Sequence, residues 1–166
     1  MGDDRDDRGD DRLVASLAEA GIEFIIVGGT AAVLQGAPIV TEDLDIVHRR
    51  TPENVDRLLP WLLAHGAYHR FDLANRRLPP ARDPLLGTGH MNLATDLGKL
   101  DLLCELGPGE GYDELLADTV PLPTSGIRVL GLERLIQVKA RLGRPKDRAV
   151  LPLLLATLDE RRRSSK

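Results

Sequence analysis

The first residues suited to chemistry are Gly28, Gly29 and Thr30, which directly follow the apolar, β-branched run of residues 22–27. Glycines let a backbone approach a phosphate closely, and the start of a following helix offers free N–H groups and a favourable dipole. The Thr30 hydroxyl would add a further donor. The pattern predicts a phosphate-binding turn, and a plain tight turn after a strand is the alternative interpretation.

A pair of aspartates, Asp43 and Asp45, follows after a connection of twelve residues. Alternate residues of a strand share a face, so both carboxylates would point one way while Leu44 and Ile46 point into the core. Neighbouring carboxylates repel each other, and a fold tolerates them best with a cation between them. Magnesium, which prefers carboxylate and phosphate oxygens, is the expected ion. A solvated strand edge or turn is the alternative for an isolated Asp-x-Asp sequence.

Asp101 is a third candidate acid, in the otherwise apolar run of residues 100–103. A carboxylate among apolar residues is costly to bury unless it is paired or binds a metal. A hydrogen-bonded aspartate that faces a turn is the alternative. Taken with the earlier pair, it predicts a catalytic and metal-binding set made of Asp43, Asp45 and Asp101.

An α/β framework is needed to hold these residues, and apolar spacing, capping residues and turn signals predict one. Helices are expected near residues 12–20, 30–34, 51–64, 112–117, 132–142 and 145–160, and strands near 22–27, 44–47 and 127–130. Residues 90–95 and 99–105 read as a β-hairpin, and the Pro- and Gly-containing residues 70–89 as a long loop around at most one short strand. The expected fold is a small mixed β-sheet core flanked by helices, an α/β (α+β) architecture with a C-terminal two-helix unit.

The chain divides by composition into three expected parts. Residues 1–11 are predicted to be a disordered acidic segment, residues 12–130 the core, and residues 131–166 a helical unit packed on that core. Residues 3–12 hold six Asp and three Arg, whereas the whole chain has a net charge of -4. The folded body is therefore almost neutral, so contacts with a nucleic acid would be concentrated on one face.

Composition also excludes several classes of protein. Cys104 is the only cysteine, which rules out an internal disulfide and a Cys-rich zinc site. Aromatic residues make up only 3% of the chain, which weakens an interpretation as a binder that stacks single-stranded bases. The sequence has no apolar run that would span a bilayer and no signal-peptide pattern, so a cytoplasmic protein without a membrane partner is expected.

The strand, the Gly-Gly-Thr sequence, the spacer and the Asp-x-Asp sequence, in this order, resemble the nucleotidyltransferase superfamily related to DNA polymerase beta. The helical Lys139, followed by Arg144, Pro145, Lys146 and Asp147, is similar to the AbiEii/MenT-like group of bacterial nucleotidyltransferases, many of which are toxins of toxin–antitoxin or phage-defence systems. The resemblance covers residues 22–158. It departs from the family at residue 30, where many relatives have Ser, and in the short length of the chain.

This resemblance implies magnesium-dependent transfer of a nucleoside monophosphate from a nucleoside triphosphate such as ATP to an acceptor hydroxyl. Two magnesium ions would lie on the three aspartates, and Lys139, Arg144 and Asp147 would join the glycines and Thr30 in binding the nucleotide. The acceptor would be a tRNA or a partner protein, and a cognate antitoxin would be a further partner. For Lys139 and Arg144, surface charge and helix-end capping are the alternative roles.

Three other functions stay open at the level of sequence. The chain could be a catalytically idle relative that binds nucleotide or a partner protein. It could be an aminoglycoside-type small-molecule nucleotidyltransferase, or a structural α/β domain with no ligand.

Overall fold

The structure, a computed structural model, describes residues 6–166 as seven helices, one 3-10 turn and seven strands. The helices are α1 (Asp6–Glu19), α2 (Gly28–Leu34), α3 (Pro52–Ala64), α4 (Arg82–Leu85), α5 (Tyr112–Leu115), α6 (Leu132–Leu142) and α7 (Pro145–Ser164). The strands are β1 (Phe24–Val27), β2 (Leu44–His48), β3 (Tyr68–His69), β4 (His90–Thr95), β5 (Gly98–Leu103), β6 (Thr119–Pro121) and β7 (Arg128–Leu130). The 3-10 turn, Leu116–Asp118, follows α5.

One mixed sheet joins the strands of the described chain in the order β3-β4-β5-β2-β1-β7-β6. Strands β2 and β5 are parallel, as are β1 and β7, and the remaining neighbours are antiparallel. The predicted hairpin is the β4–β5 pair. The α/β fold with a mixed sheet and flanking helices is thus confirmed.

The two central strands β2 and β5 alternate between core residues and acids. Leu44 and Ile46 of β2 are fully buried, so Asp45 between them faces the other side of the sheet. Strand β5 has the same alternation, with fully buried leucines on either side of Asp101. A slip of one residue would turn these carboxylates into the apolar core, so burial of the leucine face fixes the register.

Helix α3 begins as its sequence predicts. The Thr51 side chain accepts a hydrogen bond from the backbone N–H of Asn54 at 3.2 Å, which caps the first turn. Trp61 on the same helix is almost fully buried, and its Nε1 donates to Ser16 Oγ at 3.0 Å. This contact attaches α3 to α1.

The last two helices lie against the sheet core. Helix α6 ends at Gly143, whose φ of 59° is the left-handed conformation that a helix C-cap favours in glycine. Helix α7 starts with Pro145 and reverses the chain. Leu135 of α6 and Leu154 of α7 belong to the same buried cluster as the sheet leucines, so the C-terminal pair shares one core with the strands.

Three segments differ from the sequence-based expectation. Helix α1 includes residues 6–11, where disorder was expected, and its buried Leu13 and Leu17 attach it to the core; the first five residues of that segment lie outside the described residues. Short α4 lies in the expected loop. Strand β6 was not predicted, because three residues ending in a proline give no alternating pattern.

Within residues 6–166, none of the helices combines the length and the apolar character that a membrane crossing requires.

Candidate functional site

The three predicted acids lie on neighbouring elements at one place in the sheet. Parallel strands β2 and β5 set Asp45 beside Asp101 in register, and β4 sets Asn92 opposite Asp101. Asp43 lies in the bend just before β2, not on the strand itself. The side chain of Arg70 contacts both Asp43 and Asp101, which shows that these carboxylates converge. We call Asp43, Asp45 and Asp101 the carboxylate site.

Burial and the neighbouring carboxylates raise the pKa of Asp45 to about 7. Burial is the largest cause, and the charge and hydrogen bonding of Asp101 and the charge of Asp43 act in the same direction. The positive charge of Lys139 opposes them. A buried carboxyl group whose pKa is raised in this way, beside two further carboxylates, is typical of sites where proteins bind ligands.

Arg70 is the cation in contact with these acids, and the sequence analysis did not single it out. Its Nη1 lies 2.7 Å from Asp101 Oδ1, and its Nη2 lies 3.2 Å from Asp43 Oδ2. Nη1 also donates to the carbonyl of Leu93 at 2.7 Å. The backbone N–H of Arg70 donates to the carbonyl of Asn92 at 2.9 Å, which continues the β3–β4 pairing and fixes where the side chain starts.

The carboxylate site has the chemistry for a divalent cation but not a completed geometry. Oxygen ligands are those that magnesium prefers, and the buried Asp43 Oδ1 finds no hydrogen-bond partner among the described residues. In the described part of the chain, however, no three Asp, Glu, His or Cys side chains are arranged to hold one ion. The guanidinium of Arg70 bridges Asp43 and Asp101 instead.

Gly28 and Gly29 form the first turn of α2, two residues earlier than predicted, and pack directly against the carboxylate site. Gly28 has a φ of 65°, and a Cβ there would lie 3.1 Å from Asp45 Cβ and Cγ and touch the carboxylate oxygen. A Cβ on Gly29 would lie 3.0 Å from Thr41 Oγ1. Val27, the residue before α2, has no polar side chain to cap the first-turn N–H groups. The glycines thus permit close packing and leave backbone donors next to the acids.

Two threonine hydroxyls lie against the backbone of Asp43. Thr41 Oγ1 donates to the Asp43 carbonyl at 3.1 Å, and Thr30 Oγ1 lies 3.5 Å from the same oxygen. Thr30 is buried and also lies 3.5 Å from Asp10 Oδ2 of α1. The Thr30 hydroxyl, predicted to face a phosphate, therefore contacts the turn that presents Asp43.

The predicted basic residues form a second charged group at the junction of α6 and α7. Lys139 Nζ lies 3.2 Å from Asp147 Oδ1, and Arg144 Nε lies 2.6 Å from Asp147 Oδ2. The Asp147 carboxylate also accepts from the backbone N–H of Arg144 at 3.3 Å. Its side chain has no exposed surface, so any effect of Asp147 on a nucleotide acts through the two cations. We call Lys139, Arg144 and Asp147 the α6–α7 cluster.

Electrostatics place the α6–α7 cluster beside the carboxylate site. Burial raises the pKa of Asp147, but the hydrogen bonds from Arg144 and Lys139 outweigh it, so that this pKa lies below its ordinary value. The hydrogen bonds to Asp147 raise the pKa of Arg144, and the negative charge of Asp45 acts in the same direction. Because Lys139 acts on Asp45 as well, both cations are within electrostatic range of the acids.

Arg70 and Asn92 are the site residues that sequence reasoning missed. A signal for Arg70 existed in composition, because residues 70–82 contain four Arg and one Asp, a net charge of +3 in an acidic chain. Asn92 had no comparable signal, since its place opposite Asp101 follows only from the β4–β5 register.

No family model matches this sequence, and no curated protein matches it in a sequence search. Solved structures do match. A proposed nucleotidyltransferase from Thermotoga maritima aligns with a TM-score of 0.54 and 18% identity, over 87% of this chain and 91% of that chain. The antibiotic-resistance factor ANT(2'')-Ia aligns with a TM-score of 0.58 and 13% identity, over 90% of this chain and 82% of that chain. These likenesses show a nucleotidyltransferase-like fold for most of the chain.

Proposed function

We propose that this protein is a magnesium-dependent nucleotidyltransferase that moves a nucleoside monophosphate from a nucleoside triphosphate to an acceptor hydroxyl. The observation that carries the proposal is the convergence of Asp43, Asp45 and Asp101 beside the uncapped first turn of α2. A nucleotidyltransferase-like fold supports it, because the same fold surrounds these residues.

Asp43, Asp45 and Asp101 are the residues that would hold the metal, with two ions expected. The negative charges of Asp43 and Asp101 around Asp45 favour a bound cation, and so does the buried Asp43 Oδ1, which has no hydrogen-bond partner among the described residues. Magnesium bound there would neutralise phosphate charge and make the acceptor hydroxyl more acidic.

The other residues have roles set by their positions. The N–H groups of Gly28 and Gly29 would bind the triphosphate at the start of α2, with Thr30 supporting the turn. Asp101, besides holding metal, would take the proton of the acceptor hydroxyl. Lys139 and Arg144 would stabilise the charge that develops on the leaving pyrophosphate, and both are held in place by Asp147.

A tRNA end or a hydroxyl of a partner protein is the acceptor that we favour. The segment of residues 70–82 has a net charge of +3 and begins beside the carboxylate site, and its exposed Arg76 and Arg77 would contact a polyanion such as tRNA. The order of Lys139, Arg144 and Asp147 supports a place in the AbiEii/MenT-like group. Membership of that group would make the protein the toxin of a toxin–antitoxin or phage-defence system, with a cognate antitoxin as partner.

The direct test supplies each labelled nucleoside triphosphate with magnesium to the purified protein, in the presence of a tRNA pool or a cell extract. We expect label on one class of acceptor with the wild type and none with Asp43→Ala. Asp159→Ala, which removes an exposed aspartate of α7, is the matched control and should transfer label normally. Transfer that persists in Asp43→Ala would contradict the assignment. Nucleotide binding without transfer to any acceptor would favour a catalytically idle relative.

A second candidate function is transfer to a small molecule such as an aminoglycoside. The likeness to an antibiotic-resistance factor favours it. Labelled aminoglycoside in the same assay, and growth of expressing cells on the antibiotic, would separate this function from transfer to RNA or protein.

A further inference from the structure

The guanidinium of Arg70 lies where the carboxylate site would otherwise have an unbalanced charge. We propose that Arg70 is an internal counter-cation, which closes the carboxylate site in the metal-free protein and is displaced, with the loop that carries it, when a divalent cation binds. The inference rests on the proposed function, because it takes Asp43 and Asp101 as metal ligands.

The first support is that Arg70 is held by specific contacts. One guanidinium joins two carboxylates from different elements, with Nη1 at 2.7 Å from Asp101 and Nη2 at 3.2 Å from Asp43. A third bond runs from Nη1 to the carbonyl of Leu93 at 2.7 Å. Only 11% of the Arg70 side chain is exposed. A solvated surface arginine would not have this burial together with three acceptors on separate segments.

The second support is that Arg70 and a metal ion compete for the same two carboxylates, those of Asp43 and Asp101. A divalent ion requires oxygen ligands at about 2.0–2.6 Å, and the guanidinium bonds one oxygen of Asp43 and one of Asp101. An arginine stays protonated throughout the physiological pH range, so it does not lose its charge to admit the ion. Repulsion between the two cations is therefore relieved only by movement of Arg70 or by weaker metal binding.

The third support is that the chain after Arg70 can move without opening the core. The loop that follows Arg70 is closed at its base by a hydrogen bond from the N–H of His69 to the carbonyl of Leu78 at 2.9 Å. Between these residues the side chains of Phe71 and Leu73 are almost fully in solvent. A segment with so little buried apolar surface belongs to the parts of a fold that open at low free-energy cost. Displacement of the Arg70 side chain would move the segment of residues 71–78, while the backbone bond from Arg70 to Asn92 stays in place.

The test is a calorimetric titration of Mn²⁺ into the nucleotide-free protein at constant ionic strength. Arg70→Gln removes the charge and shortens the side chain but keeps a polar donor, and we expect it to bind Mn²⁺ about tenfold more tightly than the wild type. Arg77→Gln is the matched control, because it removes one positive charge from the same loop. The Arg77 guanidinium lies over the Tyr68 ring, 5.0 Å from the ring centroid. We expect Arg77→Gln to bind Mn²⁺ with an affinity within about twofold of the wild type.

A second measurement follows the loop itself, and its main comparison uses only the wild type. Trypsin should cleave the wild type after Arg76 and Arg77 several times faster with Mn²⁺ than without it, since the ion would release the segment. In Arg70→Gln the cleavage should already be fast and should not respond to the ion.

Two outcomes would overturn the inference and leave the metal site in place. One is Mn²⁺ binding to Arg70→Gln that is no tighter than to the wild type, which would make Arg70 a residue that positions the ligands. The other is wild-type cleavage that does not change with Mn²⁺. If neither the wild type nor Arg70→Gln binds Mn²⁺, the carboxylate site is not a metal site and the proposed function fails with the inference.

Discussion

The carboxylate site and the α6–α7 cluster are built from the same residue types in opposite proportions. In the carboxylate site the acids Asp43 and Asp101 contact a single cation, Arg70, and the pKa of the third acid, Asp45, is raised to about 7. In the α6–α7 cluster a single acid, Asp147, contacts two cations, and its pKa is lowered.

This difference separates a group of charges that requires a ligand from one that is complete. The acids of the carboxylate site repel each other, which destabilises the free protein and favours a cation from solution. The α6–α7 cluster has its charges paired and hydrogen-bonded, so it fixes the junction between two helices. Loss of an acid from the carboxylate site should therefore act mainly on function, whereas loss of Asp147 from the α6–α7 cluster should also lower stability.

The largest effect is expected from Asp45→Asn. It removes a central metal ligand and should lower the rate of nucleotide transfer by about a thousandfold or more. It also removes a repelling charge, so the free energy of unfolding of the metal-free protein should be unchanged or higher. Initial rates with labelled nucleotide measure the change in transfer, and urea denaturation measures the change in the free energy of unfolding. Transfer within tenfold of the wild type would show that Asp45 is not a ligand.

Gly28→Ala should have the next largest effect, because its Cβ would press on the Asp45 carboxylate. Gly66→Ala is the matched control: Gly66 has a φ of 62°, close to the 65° of Gly28, and a Cβ there would meet nothing within 4 Å. Both changes should lower the free energy of unfolding by about 1 kcal/mol through backbone strain. Only Gly28→Ala should lower transfer, by about ten- to a hundredfold. Equal activity of the two variants would contradict a packing role for Gly28.

Asp147→Asn tests the other side of the comparison. It leaves Lys139 and Arg144 without their acid, and the free energy of unfolding should fall by about 2–3 kcal/mol. Asp113→Asn, which removes one partner of the exposed Arg49 ion pair at 3.2 Å, should change little and serves as control. Urea denaturation of the two variants measures both changes in the free energy of unfolding. A loss for Asp147→Asn no larger than for the control would mean that the α6–α7 cluster does not stabilise the junction.

Strands β1, β2, β4, β5 and β7 and the start of α3 could be predicted because their causes are local. The alternation of leucines around Asp45 and Asp101 fixes which side of each strand meets the core, and this pattern is visible in the sequence. The start of α3 at Thr51 follows likewise from a cap and a proline at fixed spacing. The roles of the acids in metal binding stay predictions.

The contacts of Arg70 with the acids could not be predicted, because their cause is not local. The bond from Arg70 to Asp101 joins residues 31 positions apart, and it depends on the two-residue strand β3, which is too short to give a periodic signal. The complete burial of Asp147 likewise depends on how α6 and α7 pack. Sequence indicated a helix-start acid there and could not show that both of its oxygens bind Lys139 and Arg144.

The smallest expected effect is a pH dependence whose sign differs between the two groups. The folded pKa of Asp45 is about 7, above its ordinary value of 3.8, so between these values the folded protein keeps a proton that the unfolded chain releases. Stability of the metal-free protein should therefore fall as pH rises through this window, and Asp45→Asn should lack that loss. Its advantage over the wild type should grow by about 1 kcal/mol from about pH 6 to pH 8 in urea denaturation. Asp147 has a lowered pKa, so its contribution should instead be lost on acidification below its ordinary value. An advantage of Asp45→Asn that shrinks as pH rises would reverse the assignment of excess negative charge to the carboxylate site.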